Sequence, residues 1–262
     1  MDPSGNRFNP VYNKEGKPLG NTSEGFTGMP LISQGDGEHN WSSMTADAAC
    51  KLDSVTTYDA VRDKLSGEAK SNIWTNIVSK LEGVSIFGEI IFSLNSIDGG
   101  IIHYSSSGDY NWGTTETPIP SSGKYQILGT DLYRSYETTV ENVQASVVYH
   151  EWYGHVIKGY SDGYWKDHYQ AYDAVMMSPI YSKTTPNYKS FTETQRDFHV
   201  TLFVYENVYN NEERNFDCIL RQNIVNQDTL NFIKEFIQIF ITDKTEKNFL
   251  QSFEAVFLGC SR

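Results

Sequence analysis

The stretch Tyr149-His150-Glu151-Trp152-Tyr153-Gly154-His155 sets two imidazoles and a carboxylate within about one and a half helical turns. Neutral histidines are good ligands for Zn²⁺. A glutamate directly after the first histidine, outside the coordination shell, stands where a metallohydrolase needs its general base. The common form of this pattern, H-E-x-x-H, spaces its ligands four apart and so keeps them on nearly one helix face. Here His155 follows His150 by five residues, which on an ideal α-helix of about 3.6 residues per turn lies roughly 140° around. Gly154, just before His155, suggests a local wide turn that absorbs the extra residue and returns His155 to the face of His150.

Working outward, the residues before the motif predict a helix from about Thr138 to Ile157. Ser135 or Thr138 lies near its start and Gly159 follows its end, while Val140, Val143, Val147, Val148 and Trp152 bury one side. From Ser43 to Leu81 the pattern is also helical. Thr56 and Thr57 are positioned to cap a helix through Leu65, and Ile73, Trp74, Ile77, Val78 and Leu81 recur at three-four spacing up to Gly83. Val84 to Leu94 reads as a strand, with Asp98-Gly99-Gly100 as a hairpin turn into Ile101 to Tyr104. Lys124 to Leu128 is a candidate edge strand, able to pair with an extended peptide. Apolar stripes over residues 228–241 and 249–257 read as core helices. The expected fold class is α+β: a small β-sheet region of hairpin plus edge strand, then the zinc-binding helix and a mainly helical C-terminal part.

Composition narrows the function classes. The chain of 262 residues can bury an ordinary core, and 17 Tyr with 14 Phe and 5 Trp mark a folded protein. A formal charge of −12 argues against a nucleic-acid surface, which needs clustered Lys and Arg. Cys50, Cys218 and Cys260 are odd in number and form no C-x-x-C, so neither a thiolate zinc site nor a disulfide framework is indicated. No basic-then-apolar leader is present, and no run approaches the roughly 20 apolar residues of a membrane span. Export would therefore require a larger carrier or a specialised route.

The six-residue pattern His150-Glu151-Trp152-Tyr153-Gly154-His155 is similar to the zinc motif of dipeptidyl-peptidase-III-type metallopeptidases. That resemblance covers His150, Glu151, Gly154 and His155 alone. It implies that both histidines bind zinc and that Glu151 activates water. The segment Asn9-Pro10-Val11-Tyr12-Asn13-Lys14-Glu15-Gly16-Lys17-Pro18-Leu19-Gly20 resembles the junction that joins Rhs-repeat shells to their variable C-terminal toxin domains. On that resemblance, residues 1–40 are a turn-rich connector and residues 41–262 a metallopeptidase-like catalytic domain. The natural chain would extend upstream into an Rhs shell, be secreted or delivered into a target cell, and meet a cognate immunity protein.

Catalytic zinc normally takes three protein ligands and leaves a position for water. His168, 13 residues beyond His155 and at the head of an expected helix from Asp167 to Met177, lies where the chain can double back over the metal. Rhs-linked toxin domains with a similar helix also carry a His followed by an Ala-Tyr pair, matched here by His168 with Ala171 and Tyr172. Acidic alternatives are Glu206, which the dipeptidyl-peptidase layout favours, then Asp173 and Glu193. Tyr160, Tyr164, Tyr169, Tyr172 and His199 are candidate donors to an oxyanion. His39, His103 and His199 otherwise read as structural or surface residues. The expected activity is zinc-dependent peptide hydrolysis. Amide hydrolysis of a non-peptide substrate such as cell wall, and a non-catalytic metal-stabilised binding module, are the competing readings.

Overall fold

The computed structural model describes residues 10–23, 25–35, 39–104, 127–129, 136–160 and 168–204. Four short strands form a mixed sheet in the order β2-β1-β3-β4, with β1 at Pro10–Asn13, β2 at Pro18–Asn21, β3 at Leu31–Ser33 and β4 at Val55–Thr57. The β1–β2 turn forms where Asn13 and Gly16 predicted one, because the Asn13 side-chain oxygen accepts from the backbone N–H groups of Glu15 and Lys17 at 3.2 and 2.8 Å. Residues 10–33, expected to connect rather than to pack, thus supply three of the four strands. They also bury Tyr12 and Ile32 in the main core. Single apolar residues between turns carry no periodicity, so their burial was invisible before the sheet assembled.

Between β3 and β4 lies the single helical turn α1, Ala46–Ala49, capped by Thr45. After β4 come α2, Tyr58–Val61, and a 3₁₀ turn over Arg62–Lys64, so the expected helix to Leu65 is broken in two. Thr57 precedes α2 without capping it through its side chain. The helix α3, Gly67–Ser79, is capped by Ser66, whose Oγ accepts the Ala69 N–H at 3.1 Å, and it buries Ile73, Trp74, Ile77 and Val78 as their spacing predicts.

The Val84–Leu94 segment folds back on itself as a small hairpin, β5 at Ser85–Ile86 and β6 at Ile90–Ile91. Its reversal falls at Phe87 and Gly88, both with positive φ (51° and 73°). Asp98-Gly99-Gly100 is a 3₁₀ turn and not the expected hairpin turn. The strand after it, β7 at His103–Tyr104, pairs in parallel with β8 at Leu128–Gly129. The reason is visible in the contacts: Leu94–Ser96 forms another 3₁₀ turn, so no strand arrives there to be paired. Of the expected Lys124–Leu128 strand, residues 124–126 lie outside the described residues.

The remaining described chain is helical. The helix α4, Val140–Gln144, is capped by Thr139 and runs directly into a π-helix, Ala145–Ile157. Two further helices follow, α5 at His168–Met177 and α6 at Pro186–Val204. Val147, Val148 and Trp152 join Tyr12, Tyr58, Ile73, Ile77 and Phe92 in one core. Trp152 packs edge-on against Phe92 (ring centroids 4.9 Å apart) and donates its indole N–H to Ser96 Oγ at 2.7 Å. Upstream, buried Glu141 accepts the Gly28 N–H at 3.0 Å, and the Gly28 carbonyl accepts the Val140 N–H at 2.8 Å. The fold is α+β as expected, with the long helix laid between a sheet-side core and the pair α5–α6. No helix among the described residues is long and apolar enough to cross a membrane.

Candidate metal centre

The five-residue spacing of His150 and His155 is resolved by the helix type. In an i→i+5 hydrogen-bond pattern, residues five apart stack on one face as residues four apart do in an α-helix. The wide turn extends over the whole segment Ala145–Ile157 and is not confined to Gly154. It ends with the Lys158 N–H bonded to the Tyr153 carbonyl at 2.9 Å. His150 Nε2 and His155 Nε2 accordingly lie 3.2 Å apart.

Gly154 serves a different purpose from the one its sequence suggested. Its φ is not positive, and a Cβ added there would lie 2.8 Å from the Cβ of Ala171 and 3.2 Å from its Cα. The missing side chain lets α5 approach the π-helix closely enough for His168 to reach the pair. His168 Nε2 is 3.1 Å from His150 Nε2, and ligand atoms of the three histidines all lie within 4.8 Å of one another. All three side chains are buried.

The nitrogens fit a shared ion better than they fit one another. His150 Nε2 lies within hydrogen-bonding distance of two other ring nitrogens, yet a neutral imidazole nitrogen offers one proton or one lone pair. Nitrogens about 2.0–2.1 Å from one tetrahedral ion would stand about 3.3–3.4 Å apart, close to the two separations from His150 Nε2. His155 Nδ1 is 2.7 Å from the Tyr160 carbonyl, which can only accept, so Nδ1 carries the proton. In the neutral ring Nε2 then carries the lone pair, and the Nδ1–H bond to the Tyr160 carbonyl is of the kind that orients metal-bound histidines. Burial, reinforced by His155 and His199, holds His150 well below the ordinary histidine range. Burial does the same for His168, reinforced by His199, His150 and His155. Neutral rings are the form that ligates. His150, His155 and His168 can therefore hold a metal ion.

Aromatic packing fixes the rings. Tyr172, one turn along α5, packs against His150 with centroids 4.4 Å apart and lies nearly parallel to His168 at 5.2 Å. The Ala171-Tyr172 pair thus has a physical role: the alanine permits the helix contact and the tyrosine braces two of the three histidine rings. His199, which read as structural or surface, is buried on α6 with its ring 4.2 Å from that of His168. It joins the site because α5 and α6 pack together, which no spacing near the motif reveals.

The remaining candidates separate. Asp173 accepts from Arg196 Nε at 2.9 Å and Glu193 accepts from the Tyr181 hydroxyl at 3.2 Å, so both are committed elsewhere. Glu206 and Tyr164 lie outside the described residues. Tyr169 is half-buried on α5, and Tyr160 contributes its carbonyl. Glu151 is half-buried on the π-helix. Burial, then Tyr136 and the charge of Glu151, raise the Tyr188 phenol above its ordinary range. His103 is half-buried in β7, and His39 packs edge-on against Trp41 at 4.8 Å. On the outer face of the π-helix, Glu89 of the β5–β6 hairpin accepts from the Tyr153 hydroxyl at 3.0 Å and pairs with Lys158.

Compared with known protein families, with curated proteins and with solved structures, the chain matches none.

Proposed function

We propose that this chain is a zinc-dependent metallopeptidase and the effector domain of a secreted antibacterial toxin. One observation carries the enzymatic half: three buried imidazole nitrogens converge, and a glutamate immediately follows one of the three histidines in the chain. A purely structural metal site has no use for Glu151. The effector half rests on the resemblance of residues 9–20 to Rhs junctions. It brings with it an upstream shell, a target cell and a cognate immunity protein.

In this reading His150, His155 and His168 hold the ion. When bound, Zn²⁺ supplies Lewis acidity, polarising a carbonyl and making a water more acidic. The chain's own residues do the rest. The Tyr160 carbonyl keeps the His155 proton on Nδ1, and burial keeps His150 and His168 uncharged. Glu151 takes the proton of the attacking water and returns it to the leaving amine. Tyr172 or His199, both against the ligand rings, supports the developing oxyanion.

His199 also motivates the second reading. As a fourth ligand it would close the site, leave no position for water, and make the chain a metal-stabilised binding module. Zinc content by mass spectrometry, beside hydrolysis of unfolded protein substrates, separates the two. One zinc per chain, lost in His150→Ala, His155→Ala and His168→Ala, is expected. Glu151→Gln should keep the zinc and lower turnover by at least about 10²-fold. Retained zinc with no hydrolysis in the wild type, or full activity in Glu151→Gln, would sink the peptidase assignment.

A further inference from the structure

We infer that Gly159 is a positioning residue for the metal centre, acting through the backbone of Tyr160 on the ring of His155. The inference rests on reading the three histidines as a metal site. Gly159 follows the last turn of the π-helix with φ +67°, a conformation side-chain-bearing residues rarely adopt. Among the described residues a Cβ there would meet nothing within 4 Å, so their packing does not require glycine at this position. What requires it is the direction the chain takes next. Tyr160 turns back over the helix end and is held at both its backbone groups. Its N–H donates to the Gly154 carbonyl at 3.1 Å, and its carbonyl accepts the Nδ1–H of His155 at 2.7 Å.

Both bonds fall on the turn that carries the second ligand and the helix contact. The first ties residue 160 to the glycine against which α5 packs. The second selects the His155 tautomer that carries its lone pair on Nε2, the nitrogen 3.2 Å from His150 Nε2. A backbone acceptor cannot be removed by changing the Tyr160 side chain, but it can be moved by denying residue 159 its left-handed conformation. A β-branched residue resists that conformation strongly, whereas asparagine tolerates it. Loss of such outer contacts typically weakens metal binding about 10- to 100-fold.

The test is Zn²⁺ affinity by competition with a chromophoric chelator, with thermal unfolding of the metal-free protein alongside. Gly159→Val should bind Zn²⁺ at least about tenfold more weakly than the wild type. Gly159→Asn should restore most of the affinity. Gly83→Val is the matched control. That glycine also follows a helix, with φ +78° and nothing among the described residues within 4 Å of an added Cβ. It should lower the unfolding temperature while leaving Zn²⁺ affinity intact. Wild-type affinity in Gly159→Val, or an equal loss in Gly83→Val, would overturn the positioning role. A wild-type chain that binds no Zn²⁺ would overturn the metal reading itself, and this inference with it.

Discussion

Gly154 and Ala171 form the contact at which the two helices that carry the three clustered histidines meet, with 2.8 Å between the Ala171 Cβ and the position a Gly154 Cβ would take. The third ligand depends on that closeness, because His168 sits on the same helix as Ala171, one turn earlier. Gly154→Ala should overpack the contact, cost about 1–3 kcal/mol of stability, and move His168 away from its partners. Thermal unfolding and chelator competition should both register the loss. Adding Ala171→Gly should recover part of each. A Gly154→Ala protein with wild-type stability and zinc affinity would show that the contact does not limit the site.

The two histidines held below their ordinary range give the metal-free protein a defined pH dependence. Between the folded-state value and the unfolded value near 6.5, the unfolded chain binds more protons than the folded one. Stability is therefore fully present above about pH 6.5 and is lost as pH falls below it, at up to about 1.4 kcal/mol per pH unit for each ring. Urea midpoints of the metal-free protein at several pH values should fall in that direction. The slope should flatten in a His150→Leu, His168→Leu double variant. Midpoints that do not change between pH 7.5 and 5.5 would contradict the buried, neutral state of these rings.

Asp173→Asn and Glu193→Gln should leave zinc content at wild-type level, because Arg196 and Tyr181 already engage those carboxylates. The Asp173–Arg196 pair is partly exposed, so its loss should change stability by only about 0–1 kcal/mol. Loss of zinc from either variant would reopen the choice of third ligand.

Glu141 anchors the start of the helical run that carries His150 and His155 to the loop at Gly28, and this contact should matter for stability alone. Glu141→Ala leaves the buried Gly28 N–H without its acceptor, at a cost of about 1–3 kcal/mol. Glu141→Gln keeps a carbonyl oxygen there and should recover most of it. Zinc stoichiometry in the folded fraction should be unchanged, as measured on protein recovered after gel filtration.

Much of the site was legible because its signals are local. His150, Glu151 and His155 are read from seven consecutive residues. The apolar positions around them predicted the helix that carries them, ending at Ile157 as observed and starting two residues early, at Thr138 instead of Val140. His168 could be proposed from its distance along the chain, although spacing alone could not prefer it over Asp173 or Glu193. The hairpin at Phe87 and Gly88 was misplaced to Asp98-Gly99-Gly100, since both stretches carry turn residues and only pairing partners distinguish them. Tyr12 and Ile32 escaped notice as core for a related reason: a short strand has too few residues to display a period.

By itself the sequence determined the chemistry available and the helix that displays it, because ligand type, ligand order and helical periodicity are properties of adjacent residues. The tertiary structure decided how the five-residue spacing is met, by a π-helix over Ala145–Ile157. It also decided that Gly154 serves a helix contact, that His168 completes the triad, and that His199 lies against it. Each of these depends on the distance between helices, which is set by the size of the side chains where they touch and is written nowhere in the order of residues along either one.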